Sequence, residues 1–92
     1  MSRPRVNPEE AAREAFKREV KVQRVYHDMK QSELADEVGV VPSVMSNLLA
    51  NPDKISAGRL RKIIRTLSID PVIILAFLGY TTKEIQSISK ST

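Results

Sequence analysis

The stretch Gln31–Ala50, QSELADEVGVVPSVMSNLLA, decides the fold. An acidic half, a single Gly, and a half with no charge follow one another. Leu34, Ala35 and Val38 recur at helical spacing before Gly39. Val44, Met45 and Leu48 do the same after it. Two short helices that cross steeply need a small residue where they approach, and Ala35 supplies it. The tight turn between them needs a backbone free to enter the left-handed region, and Gly39 supplies that. Leu34, Val38, Val40, Met45 and Leu48 then form one apolar floor under both helices. The spacing predicts a helix-turn-helix unit over 31–50.

Working outward, Asn7-Pro8-Glu9-Glu10 reads as an N-cap, a first-position Pro and an acidic first turn. It opens an extended first helix from Pro8 to about His27. Phe16, Val20, Val22, Val25, Tyr26 and Met29 are its apolar positions, and Arg13, Lys17, Arg18, Lys21 and Arg24 lie on its other face. Pro42 suits the first turn of the third helix. Asn51-Pro52-Asp53 reads as a turn. Ser56 caps a fourth helix, Ala57 to Leu67, with Leu60, Ile63, Ile64 and Leu67 inward. Asp70-Pro71 opens a fifth helix, Pro71 to Leu78, closed by Gly79. Thr81-Thr82-Lys83-Glu84 has a capping pattern that starts a short C-terminal sixth helix ending near Ser89. The expected organisation is all-α: a basic arm over 1–7, one helical domain over 8–80, and a short helix with tail over 81–92.

Composition narrows the function classes. The absence of Cys excludes a disulfide framework and Cys-ligated zinc. One His, His27, at a helix end makes neither a metal cluster nor a catalytic triad, and there is no Gly-rich phosphate loop. We therefore expect no enzyme, no metal and no cofactor. The start, MSRPRVNPEE, is polar and basic, unlike a secretory leader. The longest apolar run, Val72 to Leu78, is too short to span a bilayer, so a cytoplasmic location in a bacterial cell or its nucleoid is expected, away from membrane. Net charge is +4, but its distribution says more. Residues 31–53 carry four acids and no base, while 54–65 carry five bases and no acid. A basic balance favours an anionic partner such as nucleic acid.

The run M-K-Q-S-E-L-A-D-E-V-G-V-V-P-S-V-M-S resembles the L-T-Q-x-x-L-A-x-x-L-G-V-S-x-x-x-I-S pattern of the lambda-repressor-like, Cro/CI-type family. S-A-G-R-L-R-K-I-I-R-T-L-S-I-D-P-V-I-I-L is similar to that family's fourth and fifth helices. The likeness covers roughly residues 16–78. It implies a compact five-helix DNA-binding domain that dimerises and regulates transcription, a role shared by phage repressors, plasmid regulators and antitoxins. By that resemblance the second helix meets the DNA backbone through Gln31, and the third enters the major groove. Ser43 and Asn47 match base-reading positions, with Ser46 beside them; Asn can bond adenine in bidentate fashion. Asn51, Lys54 and Ser56 match a phosphate-touching loop. Arg59, a cation in the first turn of the fourth helix, opposes the helix dipole, which a nearby phosphate would offset. The structural reading of these basic residues is a solvated face.

Three departures stand out. Pro42 occupies a position where the family often has a polar base-reader, so it can offer a thymine methyl only apolar contact. Val41 replaces the usual Ser or Thr cap. Leu49 stands where the family often has a Glu paired with an Arg matching Arg24. Leu49 either packs on the first helix or contacts a second protein. Pro71–Tyr80, PVIILAFLGY, is apolar all round, which predicts burial on every side. By resemblance its partner is a second copy, through Val72, Ile73, Phe77 and Tyr80; the other cover is the sixth helix, through Ile85 and Ile88. The expected function is a homodimeric repressor on a palindromic double-stranded operator, answerable to its own concentration or to a regulatory protein partner. The other class is a protein-interaction module of the same fold that has lost specific DNA binding. The arm, Arg3 to Arg5, either adds minor-groove contacts or is inert.

Overall fold

The computed structural model describes residues 7–90, so the arm expectation at Arg3 and Arg5 lies outside the described residues. The described chain is helical throughout: α1 Pro8–Tyr26, α2 Gln31–Val38, α3 Pro42–Ala50, a 3-10 turn Pro52–Lys54, α4 Ala57–Leu67, α5 Pro71–Phe77 and α6 Thr82–Lys90. No strand occurs among the described residues, and none of the helices is long and apolar enough to cross a membrane.

The helix starts follow from short polar side chains. Asn7 Oδ1 accepts from Glu9 N at 2.9 Å and Asp70 Oδ1 from Val72 N at 2.9 Å. Ser56 Oγ accepts from Arg59 N at 3.4 Å. Each satisfies an amide that the helix itself leaves unpaired. At α6 the exchange is reciprocal: Thr81 Oγ1 accepts from Glu84 N, and Glu84 Oε1 accepts from Thr81 N. The backbone bond, then the hydroxyl bond, hold the Glu84 carboxyl below its ordinary pKa. Its contribution is therefore present above the ordinary carboxylate range and lost as pH falls through that lowered value.

Four of the helix ends share one solution. After α2, Gly39 sits at φ 85°, Gly39 N donates to Asp36 O, and Val40 N donates to Ala35 O. This pair of reversed bonds closes α5 at Gly79 (φ 102°), with Tyr80 N donating to Leu75 O. Asp28 (φ 52°) ends α1 in the same way, Met29 N donating to Arg24 O, and Ser68 (φ 54°) ends α4, Ile69 N donating to Ile64 O. Two of the four closures thus put a side-chain-bearing residue in the left-handed region.

The core joins Phe16 and Val20 of α1 to Leu34, Ala35 and Val38 of α2, Met45 and Leu48 of α3, Ile63 and Leu67 of α4, Ile69, and Ile74 of α5. α1 lies chiefly against α5, and α2 against α3 and α4. The inward set expected for α4 divides: Ile63 and Leu67 are buried, while Leu60 and Ile64 are half-buried. On α1 the difference is larger. Val22, Val25 and Tyr26 are exposed, at 52%, 72% and 79%. Asp70, which caps α5, meets α1 at Glu19 (Asp70 N to Glu19 Oε2, 3.4 Å). α5 therefore begins one turn short of Val22.

The apolar α5 is covered in three ways. Ile74 is buried, Ile73 packs on the core, and Phe77 stacks on Phe16 with ring centroids 4.6 Å apart and planes 17° apart. α6 packs on α5 through a buried Ile85, while Ile88 is 39% exposed. The four residues expected to share a dimer face are thereby divided. Ile73 and Phe77 are half-buried against the core, Phe77 on Phe16 of α1, and Val72 and Tyr80 are exposed.

Gly39→Ala is expected to cost about 1–2 kcal/mol in urea unfolding, through φ alone. A Cβ there would meet nothing closer than Lys62 Nζ, at 4.0 Å. Ser68→Gly should instead gain roughly 0.5–1 kcal/mol by relieving the same strain. Equal effects of both changes would refute this account of the closures.

Candidate nucleic-acid interface

α3 is two-faced. Met45 and Leu48 go into the core, with Val44 and Leu49 half-buried beside them. Pro42, Ser43, Ser46 and Asn47 are exposed. Ser43, Ser46 and Asn47 stand three and four residues apart, so they share one helix face. Val41 offers no side-chain cap to α3. α2 lacks a capping side chain at Lys30 as well, but Glu33 Oε1 accepts from Lys30 N at 3.0 Å.

One bond ties α2 to the exposed face of α3: Gln31 Nε2 donates to Ser46 Oγ at 2.7 Å. The first residue of α2 and the polar row of α3 are thus brought to one surface. Glu33, Asp36 and Glu37 are exposed on α2.

The expected phosphate-touching residues are distributed. Asn51 caps the end of α3, its N–H donating to Asn47 O, and Lys54 N donates to Asn51 O. Both line a cleft with Arg13 and Lys17 of α1, beside Asp53. Arg13 Nη1 pairs with Asp53 Oδ2 at 3.2 Å, and Lys17 Nζ with Glu14 Oε1 at 3.3 Å. These half-exposed pairs are weak, worth well under about 1 kcal/mol each. Sequence reasoning placed Arg13 and Lys17 only on the basic face of α1, opposite its apolar positions. Their spacing of four residues was visible, but their approach to Asp53, forty residues on, was not.

Ser56 and Arg59 are exposed at the start of α4, a helix that packs chiefly on α2. Lys62 Nζ lies near Gly39, at the C-terminal end of α2, where the helix dipole favours a cation. Arg61 Nε donates to Ala57 O at 3.4 Å along its own helix.

Leu49 is half-buried against the core. Arg24 Nη1 donates to Met29 O at 3.3 Å, while Arg24 Nε is buried with no hydrogen-bond partner. No family model, no curated protein and no solved structure matches this chain.

Arg24→Met keeps the apolar stem and removes the orphaned donor. It is expected to change stability by less than about 1 kcal/mol, in the stabilising direction if either. Urea titration checks this; a loss above roughly 2 kcal/mol would show that the bond to the Met29 carbonyl outweighs the unpaired nitrogen.

Proposed function

We propose that this chain is a lambda-repressor-like, Cro/CI-type regulator that binds double-stranded DNA sequence-specifically. In this reading it acts as a homodimeric repressor of phage, plasmid or antitoxin type on a palindromic operator. The observation that carries the reading is the Gln31–Ser46 bond, which joins the start of α2 to an uncharged polar row on α3. A major-groove reader needs that combination: donors and acceptors of defined shape toward base edges, and a helix start toward phosphate.

The roles divide accordingly. Ser43, Ser46 and Asn47 choose the sequence, and Pro42 offers apolar contact. Gln31, Asn51 and Lys54 hold the backbone, with Ser56 and Arg59 as further phosphate contacts. Neutral readers with cations at the side separate specificity from affinity: the first set decides which bases are accepted, and the second how steeply salt weakens binding. The acids of α2 limit non-specific attraction to phosphate.

The second reading, an interaction module without specific DNA binding, draws on Pro42 and on the acidic surface of α2. Selection of bound duplexes from a random pool decides between the two. An enriched inverted repeat is expected, with affinity falling steeply as salt rises. Asn47→Ala should relax choice at one base position at a cost of about 1–3 kcal/mol. Lys54→Ala should weaken all sequences alike and reduce the salt slope by about one. Absence of enrichment, with only weak salt-sensitive binding, would favour the interaction module.

A further inference from the structure

The cleft at the end of α3 holds two half-buried cations of α1. Arg13 and Lys17 stand four residues apart, so they share one helix face, and each side chain is 34% exposed. Taking a cation partly out of water costs free energy unless an anion is close by. The anions close by are Asp53 on Arg13 and Glu14 on Lys17, with side chains 62% and 58% exposed. Such pairs hold weakly and exchange readily for a better acceptor. Among the described residues Lys54, in the same cleft, is in no ion pair.

Three elements converge here. α1 brings Arg13 and Lys17, the end of α3 brings Asn51, and the 3-10 turn brings Asp53 and Lys54. Pro52, fully buried, anchors that turn. Asn51 N donates to Asn47 O at 3.1 Å, so the cleft opens one helical turn, about 6 Å, past Asn47.

We propose that this cleft takes a backbone phosphate of duplex DNA, with Arg13 and Lys17 as its ligands from α1, and that Asp53 occupies Arg13 until the phosphate displaces it. The inference rests on the DNA reading above and adds to it a contact from a helix to which that reading gives no role. A major groove is about 12 Å wide, so a helix seated in it has phosphates within about a turn of the base edges it reads. Arg13 gives Asp53 a single bond, from Nη1. Its planar fork can hold two phosphate oxygens in parallel, which is the stronger arrangement. Asp53 thus acts as a built-in competitor that weakens the hold on every duplex alike, and a well-seated α3 offsets its displacement.

The test follows the affinity of the full chain for a random-sequence duplex against salt. Arg13→Gln combined with Lys17→Gln should lower the slope of log affinity on log salt by about one, the share of one phosphate. Arg18→Gln combined with Lys21→Gln removes the same charge from exposed positions outside the cleft and should leave the slope unchanged. Asp53→Asn should tighten binding about two- to fivefold, the range an exposed ion pair is worth, and the gain should vanish once Arg13→Gln is added. Circular dichroism confirms that each variant is folded, and Asp53→Asn, at an exposed side chain, carries the test if an α1 variant unfolds.

An unchanged slope in the Arg13 and Lys17 variant overturns the proposal, as does an equal loss in the Arg18 and Lys21 variant, which would show bulk charge at work. A gain from Asp53→Asn that persists without Arg13 overturns the exchange. The function is tested separately by selection from a random pool. An enriched inverted repeat with an unchanged slope keeps the regulator and removes this site. A lowered slope with no enriched sequence keeps the site and removes the regulator. A chain that binds no duplex overturns both.

Discussion

The stack of Phe16 on Phe77 joins the first helix to the fifth across about sixty residues of chain. The chain has only four aromatic side chains, two Phe and two Tyr. Both phenylalanines are spent on this one contact, so the rest of the core is aliphatic. Leu34, Met45, Ile63 and Leu67 share the core with Phe16, and all five are fully buried. Once α1 is clamped to α5 in this way, the outer side of α1 has no helix left to cover it beyond Glu19. The exposed stripe at Val22, Val25 and Tyr26 follows from where α5 begins.

The same economy shapes α3. A nine-residue helix that commits Met45 and Leu48 to the core has one free face. That face is neutral and polar, and Gln31 is bonded to it. In the proposed function, neutrality is what lets the shape of base edges decide the outcome, because a cationic face would bind any duplex. The cations stand at the side instead: Lys54 with Arg13 and Lys17 at the end of α3, and Lys62 at the end of α2. Arg24 bonds the Met29 carbonyl through one nitrogen and leaves a second, buried one unpaired.

Local chemistry was legible almost to the residue. Asn7, Ser56, Asp70 and Thr81 were readable as caps because a short polar side chain reaches only its own first turn. Gly39 and Gly79 were readable as ends because a positive φ favours Gly. Asp28 and Ser68 were not, since their left-handed backbone is imposed by the reversed bonds after the helix and leaves little mark in composition. The polar row of α3 was legible from its spacing, whereas the bond from Gln31 to Ser46 was not, because it spans two helices.

By itself, then, the sequence determined the helices, their starts and most of their ends, and which face of α2, α3 and α4 is apolar. These depend on interactions within a few residues, where spacing along the chain is distance in space. Only the tertiary structure decided which apolar side chains of α1 and α5 are consumed inside. Val22 and Val20 look alike in sequence, as do Phe77 and Tyr80, and what separates them is the length and placement of a helix fifty residues away.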